Sequence, residues 1–579
     1  MTLERIQWMP WGDEAFDLAR ERDVPILLSI GAVWCHWCHV MDQTTFSDEQ
    51  VVDLVRQLVV PVRVDNDQRP DINARYNMGG WPTVAFLTPE GETMAGGTYM
   101  PPEGFASAIR QISDYYRTNK GKIAGRVAQM KAERRLLRLS VPTGGELSLS
   151  LVDSVYGQVV SSYDEQYGGF GTQQKFPQSD ALELALERHV RTADETALAI
   201  VTKTLHSMAE GGLYDHEVGG FFRYSTTRDW SVPHFEKMLE DNARLLSLYL
   251  HAYQVTRETA YRETAEGIVG YVTSTLYNQK DGYFYGSQDA DERYYGLTKA
   301  QRATTRAPFI DTIAYTAWNA MMVRSFIEAG LVLGRPELTQ MAFDTLERLW
   351  QRCWTPQGGM CQHWREEARL PGWLSAQAWT ALACLDAYEA AGAPVWLERA
   401  RSVLDWTLAN LTTPSGALRD MPEAQNALGR LAETEAPLVE NAVAVDALIR
   451  ASRLAGHADY RERAVAILAS LQEDCSHLGI LAAGYALAAA HLLLEPVQVV
   501  LVGEKGNAEL EEMREVIWQL YVPNRVLLTL DPTSDQDRLA ELGYPAGLSP
   551  KAYVCVGTRC LEPANDSREL EAVMARAKV

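Results

Sequence analysis

Apolar positions in the first 130 residues switch between short unbroken runs and helical stripes. The runs at 26–30, 59–64 and 83–87 have the length and continuity of buried strands. Between them, 11–22 places Ala15, Phe16 and Ala19 on one side of a helix, and 48–58 predicts a second helix. A turn at 88–91, a strand at 97–100 and a helix at 104–119 complete an alternating α/β layer. From about 148 to 494 the period changes to that of long helices, roughly twelve of them, several joined in pairs by short polar turns at 256–259, 334–337 and 456–459. Strand and helix patterns return at 496–502, 508–521, 525–530 and 551–556. The chain therefore reads as multidomain, with an α/β domain over 1–130, an all-α domain over 145–495 and a small α/β unit over 496–579.

The helical part carries an internal echo. Gly168-Gly169-Phe170, Gly219-Gly220-Phe221, Gly282-Tyr283-Phe284, Gly358-Gly359-Met360 and Gly416-Ala417-Leu418 each follow a helix end, about 50 to 75 residues apart. One such element per helical hairpin predicts six hairpins closed into a double ring, an (α/α)6 toroid whose inner helices line a funnel. Loops at one end of that ring are expected to build its site.

Composition narrows the function classes. A net charge of −22 argues against nucleic acid or an anionic membrane surface as partner. Residues 1–11 lack the apolar run of a signal peptide, and no stretch reaches about 18 uninterrupted apolar residues, so a cytoplasmic protein without a membrane span is expected. Eight cysteines are too few for a disulfide scaffold in a chain of 579 residues. Cys555 and Cys560, with four residues between them, read as structural. No metal or cofactor is called for.

Against that background Trp34-Cys35-His36-Trp37-Cys38-His39 stands out. C-x-x-C spacing suits a redox dithiol, half of a zinc site or, with the trailing His, a haem attachment site. Haem attachment needs an export route, and zinc needs two further converging ligands. The strand before Cys35 and the helical pattern after it resemble a thioredoxin fold, in which a cis proline before a later strand flanks the dithiol. Trp81-Pro82 is the matching position. Cys35 is then the exposed nucleophile, Cys38 the deeper resolving thiol, His36 a modulator of the thiol pKa and Pro82 the shaper of the substrate groove. Trp37 and Trp81 join as substrate contacts.

In the helical part, aromatic residues interleave with carboxylates and amides at Tyr214-Asp215, Trp230, His234 with Glu236, Asp289 with Asp291, and Trp318-Asn319. Rings stack on sugar faces, polar groups bind hydroxyls, and two carboxylates can divide acid and base work. Turn, cap and core roles for the same residues remain open.

Together, Cys35 to Met41, Val64-Asp65 with Arg69-Pro70-Asp71-Ile72, Gly79 to Pro82, Lys175-Phe176-Pro177, Val232 to Leu239 with Asp241-Asn242-Ala243, Asp289-Ala290-Asp291, Trp318-Asn319 and Tyr553-Val554-Cys555 resemble the spermatogenesis-associated thioredoxin-domain family. The resemblance implies a thioredoxin-like domain joined to a body similar to six-hairpin glycosidases and N-acylglucosamine epimerases. The sequence departs from that family at Leu374 to Trp379, at Glu240 where a tyrosine is expected, and at 435–441. The dithiol motif is intact, which favours thiol–disulfide oxidoreduction of a protein or small-molecule substrate, with the toroid holding a glycan or partner. A carbohydrate-active hydrolase or epimerase with the thioredoxin domain as lid, and a non-catalytic scaffold, are the alternatives.

Overall fold

The computed structural model describes residues 5–139, 145, 147–423 and 427–577. Two compact units form: Met1–Val141 with Asp420–Glu435, and Pro142–Arg419 with Ala436–Val579.

The first unit is thioredoxin-like. Four strands, β1 (Ile26–Gly31), β2 (Val60–Asp65), β3 (Thr83–Leu87) and β4 (Thr93–Gly97), form one sheet in the order β2-β1-β3-β4. β1 and β2 are parallel, and β3 and β4 run antiparallel to their neighbours. β1 and β3 are buried along nearly their whole length, which explains their unbroken apolar runs. The last strand lies at Thr93–Gly97 and not at 97–100, because the hairpin closes tightly on the 88–91 turn and pairs Leu87 with Thr93. Residues 420–435 also belong to this unit. Asp420 accepts from the buried Arg75 guanidinium at 2.7 Å, and Leu428 and Leu431 pack on the core around Phe16 and Tyr76.

The second unit is built on the toroid. Inner helices Ser179–Thr192, Leu239–Thr256, Thr316–Val332, Leu374–Ala391, Leu438–Ala455 and Ala483–Leu493 pack each on the next, and the last returns to the first. Helices Leu149–Ser162, Glu195–Glu210, Thr259–Tyr271, Pro336–Cys353, Pro394–Leu411 and Ala458–Ser470 form the outer layer. Inner helices are apolar almost all round: Leu374–Ala391 has buried residues on every face. Outer helices bury one stripe, as Leu338, Ala342, Leu346 and Leu349 do in Pro336–Cys353.

The glycine–aromatic echo has a physical cause. An amide near the start of an inner helix clamps the preceding loop. Asn242 does this to Phe221, accepting from its N–H at 2.8 Å and donating to its carbonyl at 3.0 Å. Asn319 repeats it on Phe284, Gln377 on Met360 and Asn441 on Leu418. The third bond of each clamp goes to a carbonyl four residues back in the helix. The loop glycines sit at positive φ, Gly219 at 83° and Gly220 at 78°, where a side chain would also strike Gly267 and Tyr271.

The C-terminal region forms a second sheet, ordered Arg525–Leu530, Val497–Val502, Lys551–Val556 and Arg559–Cys560. Its first pair is parallel and the other two pairs are antiparallel. Helices Ala508–Trp518, Gln536–Leu542 and Ser567–Ala577 separate and follow the strands. Order and direction repeat those of the N-terminal sheet, and Pro550 precedes the third strand as Pro82 precedes β3. At the end of its first strand, Gly503 to Asn507 stands where the N-terminal sheet has its C-x-x-C. Cys555 and Cys560 face each other across the outer strand pair and form a disulfide, a pairing that their sequence spacing does not announce.

Candidate functional site

β1 delivers the chain to the dithiol. It ends at Gly31, where a Cβ would come within 3.2 Å of the Cys38 sulfur. Helix His36–Gln43 then starts with Cys35 as its N-cap, in extended backbone conformation. The Cys35 sulfur accepts the Cys38 N–H at 3.2 Å, while the Cys35 carbonyl accepts from Cys38 and His39. Cys35 and Cys38 are joined as a disulfide. The Trp81–Pro82 peptide bond is cis. Pairing of Ile30 with Thr83 places Pro82 across from the end of β1. Trp34 and Trp81 meet edge to face at 5.9 Å. Trp34 Nε1 donates to the buried Asp67 carboxylate at 2.6 Å, and Trp81 Nε1 donates to Asn73 at 3.1 Å. His36 is exposed, and Trp37 is 48% exposed with its ring 5.2 Å from Tyr99.

One expectation is reversed. Cys35 is the buried partner, 5% exposed, and Cys38 is half-buried. As N-cap, Cys35 turns its sulfur over the first helical turn to accept the Cys38 amide.

The polar residues singled out in the helical part divide. Asp215 is buried; its carboxylate accepts from Lys237 Nζ at 2.7 Å and Arg302 Nη1 at 2.6 Å. Burial alone would raise its pKa, but the two cations hold it below the usual carboxylate range. Burial also pushes Lys237 down to about 8, against the pull of Asp215. Asp164 makes the same arrangement one repeat earlier, with Lys175 at 2.6 Å and Arg228 at 2.7 Å. In both repeats the lysine also donates to a loop glycine carbonyl, of Gly168 or Gly219. Asp215 is thus a recurring loop tie and does not line the toroid cavity.

Trp230 is fully buried, donates to the Tyr167 carbonyl at 3.0 Å and closes over Gly169, so no sugar reaches its face. Asn319 is an amide clamp, and Asp291 caps a short helix by accepting the Tyr294 N–H at 2.9 Å. Asp289 accepts from the N–H of Ala290 at 2.8 Å, and Tyr214 packs on Phe221. His234 Nδ1 pairs with Glu236, and its ring stacks on Tyr224 at 4.9 Å. Of this group, Trp318 lines the cavity inside the inner ring.

Residues 2–134 match the Thioredox_DsbH family, a protein family of unknown function (DUF255). Human spermatogenesis-associated protein 20 aligns at 28% identity over 98% of this chain and 90% of its own length. A thiol:disulfide interchange protein DsbD from Pseudomonas fluorescens is 34% identical over 80 residues, 13% of this chain and 14% of that protein. Among solved structures, cellobiose 2-epimerase from Spirochaeta thermophila covers 59% of this chain and 86% of its own, at 14% identity and a TM-score of 0.47.

Sequence reasoning missed the acids that do face the cavity of the toroid. Glu240 lines it, beside Asp241 on the same helix. Burial and then the Asp241 charge raise Glu240 above the usual carboxylate range, and burial raises Asp241. The signal was present in the chain: Glu240 stands where the family resemblance leads one to expect tyrosine. Deeper in the cavity, His251 lies between Glu183 and Glu328, at 2.9 and 2.8 Å. His491 lies between Glu187 and Asp446, at 2.8 and 2.7 Å. Burial alone would lower both imidazoles, yet the paired carboxylates raise His251 well above its ordinary value and His491 to about 9. No helix among the described residues is long and apolar enough to cross a membrane.

Proposed function

We propose that Cys35 and Cys38 form a thiol–disulfide exchange centre and that the chain is a thioredoxin-type oxidoreductase. The observation that supports this is the Cys35 sulfur at a helix N-terminus, accepting the Cys38 N–H at 3.2 Å. Once the pair is reduced, that amide and the positive end of the helix favour a Cys35 thiolate over the thiol.

The thiolate attacks one sulfur of a substrate disulfide. The substrate S–S bond breaks, its far sulfur leaves as a thiolate, and a mixed disulfide to Cys35 forms. Cys38 gives its proton to solvent and attacks the Cys35 sulfur. The second substrate sulfur leaves, and the Cys35–Cys38 bond closes. Two electrons pass from the protein dithiol to the substrate, and an external thiol donor restores the dithiol. Run in reverse, the disulfide form oxidises a substrate dithiol. Protein and small-molecule disulfides are both substrates of this chemistry, and a cytoplasmic thiol pool would supply the donor.

The test is turnover of a fluorescent glutathione-disulfide probe by the reduced protein, with iodoacetamide alkylation rates against pH to read the Cys35 thiol. Turnover that disappears in Cys35→Ser, with a thiol pKa below the usual ~8.5, is the expected result. An ordinary thiol pKa together with no turnover overturns the reading.

A further inference from the structure

The C-terminal sheet carries a second cysteine pair, which the Cys35–Cys38 chemistry does not use. Cys555 lies in strand Lys551–Val556 and Cys560 in Arg559–Cys560, the outermost strand of that sheet. The two residues stand directly opposite each other in the antiparallel register and are joined as a disulfide. Cys560 is exposed, whereas Cys555 is 4% exposed. The two ends of this bond therefore differ in their reach from solvent.

Two features separate the bond from a structural staple. It closes a loop of only four intervening residues, Val556 to Arg559. A loop that short removes little freedom from the unfolded chain, so the bond stabilises the fold less than one that closes a long loop. The backbone, moreover, already holds the strands together. The Val554 carbonyl accepts the Leu561 N–H at 2.9 Å, and Ala552 and Ala564 each donate to the other's carbonyl at 2.9 Å. Opening the disulfide leaves these contacts in place. The two cysteines stay opposed, and the bond can re-form intramolecularly.

The buried end of the bond has a hydrogen-bond donor. The half-buried Tyr544 has its hydroxyl 3.9 Å from the Cys555 sulfur. A disulfide sulfur carries no proton, so the hydroxyl donates. Burial, and then neighbouring Tyr553, raise the Tyr544 pKa, and the hydroxyl keeps its proton at neutral pH. A donor beside one sulfur of a disulfide stabilises the thiolate that leaves from it. Exposure and donor thus agree on a direction, with attack at Cys560 and departure of Cys555.

We propose that Cys555 and Cys560 form a second thiol–disulfide exchange site, which reacts with small thiols of the glutathione class. An edge strand in solvent is open to a freely diffusing thiol. Its thiolate attacks the Cys560 sulfur, the S–S bond breaks, and the electron pair leaves with the Cys555 sulfur, which accepts from Tyr544 and takes a proton from solvent. A second small thiolate attacks the small-molecule sulfur of the mixed disulfide and frees Cys560. Two electrons have passed to the protein, and two small thiols leave as one disulfide. The reverse sequence closes the pair again. This site does not rest on the reading of Cys35 and Cys38.

The test uses the full chain carrying Cys35→Ser and Cys38→Ser, so that the first pair is silent. The protein is equilibrated in glutathione buffers running from equal reduced and oxidised forms to about a thousandfold excess of the reduced form. Samples are quenched in acid, alkylated and read by mass spectrometry of the peptides that hold 555 and 560. The expected result is reversible opening, with half-oxidation inside that series and a rate proportional to reduced glutathione. Tyr544→Phe slows opening about tenfold, the effect of one hydrogen bond to a charged sulfur. Oxidised glutathione labels Cys560 in Cys555→Ser at least about tenfold faster than Cys555 in Cys560→Ser. These two variants read the direction of attack should Tyr544→Phe not fold. A pair that stays closed in the most reducing buffer while the chain is folded overturns the proposal. So do opening that does not reverse, an unchanged rate in folded Tyr544→Phe, and faster labelling of Cys555.

Discussion

Replacing Asn319 by alanine separates a loop clamp from a ligand contact. Asn319 is fully buried. Its Oδ1 accepts the Phe284 N–H at 2.8 Å, and its Nδ2 donates to the carbonyls of Phe284 and Tyr315, both at 3.0 Å. Alanine leaves the Phe284 N–H without a partner in a dry interior, which costs about 1–3 kcal/mol, and each lost donor adds about 0.5–1.5 kcal/mol. The sum is near 4 kcal/mol, or about a thousandfold in the local opening equilibrium. Hydrogen exchange of the peptide spanning 283–286 reads that change directly, where global unfolding of a two-unit chain does not. Unchanged protection at 283–286 in Asn319→Ala, with loss of a bound ligand, would refute the clamp and return Asn319 to the site.

The remaining predictions concern buried charge. Asp215→Ala leaves Lys237 and Arg302 buried without their carboxylate and is expected to cost the helical unit about 3–5 kcal/mol, read by urea unfolding. His491 has a folded pKa of about 9, above its ordinary 6.5, so its contribution is complete below 6.5 and is lost as pH rises through 9. Stability is therefore expected to fall across pH 6.5–9, with a shallower fall in His491→Gln; equal slopes in the two proteins would contradict the pairing with Glu187 and Asp446. Glu240 and Asp241, both raised, give a decline of the same sign at lower pH, beginning as pH rises above their unfolded values, which Glu240→Gln reduces.

The architecture was legible where one period dominates. Inner and outer helices differ in how far round the apolar surface extends, and the hairpin boundaries follow from that. The glycine–aromatic echo was visible as a repeat, but its cause was not: Asn242, Asn319, Gln377 and Asn441 are scattered along the chain and converge in function through backbone contacts. Asn319, Asp215 and Trp230 look like sugar ligands in sequence because buried structural polar groups and sugar-binding groups draw on the same residue types. Strand order is set by long-range pairing, so the likeness between the C-terminal and N-terminal sheets appears only in three dimensions. The assignment of 420–435 to the first unit rests on Arg75 and Asp420, 345 residues apart, a pairing no local pattern encodes.

The dithiol is different, because its spacing, preceding strand and following helix are all local. What local pattern misjudged there is which cysteine residue is the less exposed. The order of attack therefore decides the central claim. Reduced Cys38→Ser protein, mixed with a disulfide substrate and analysed by intact-mass spectrometry, reads it directly. The account predicts a mixed disulfide that accumulates on Cys35 and is not resolved, and none in Cys35→Ser. Accumulation on Cys38 in the Cys35→Ser protein, with none on Cys35, would contradict it.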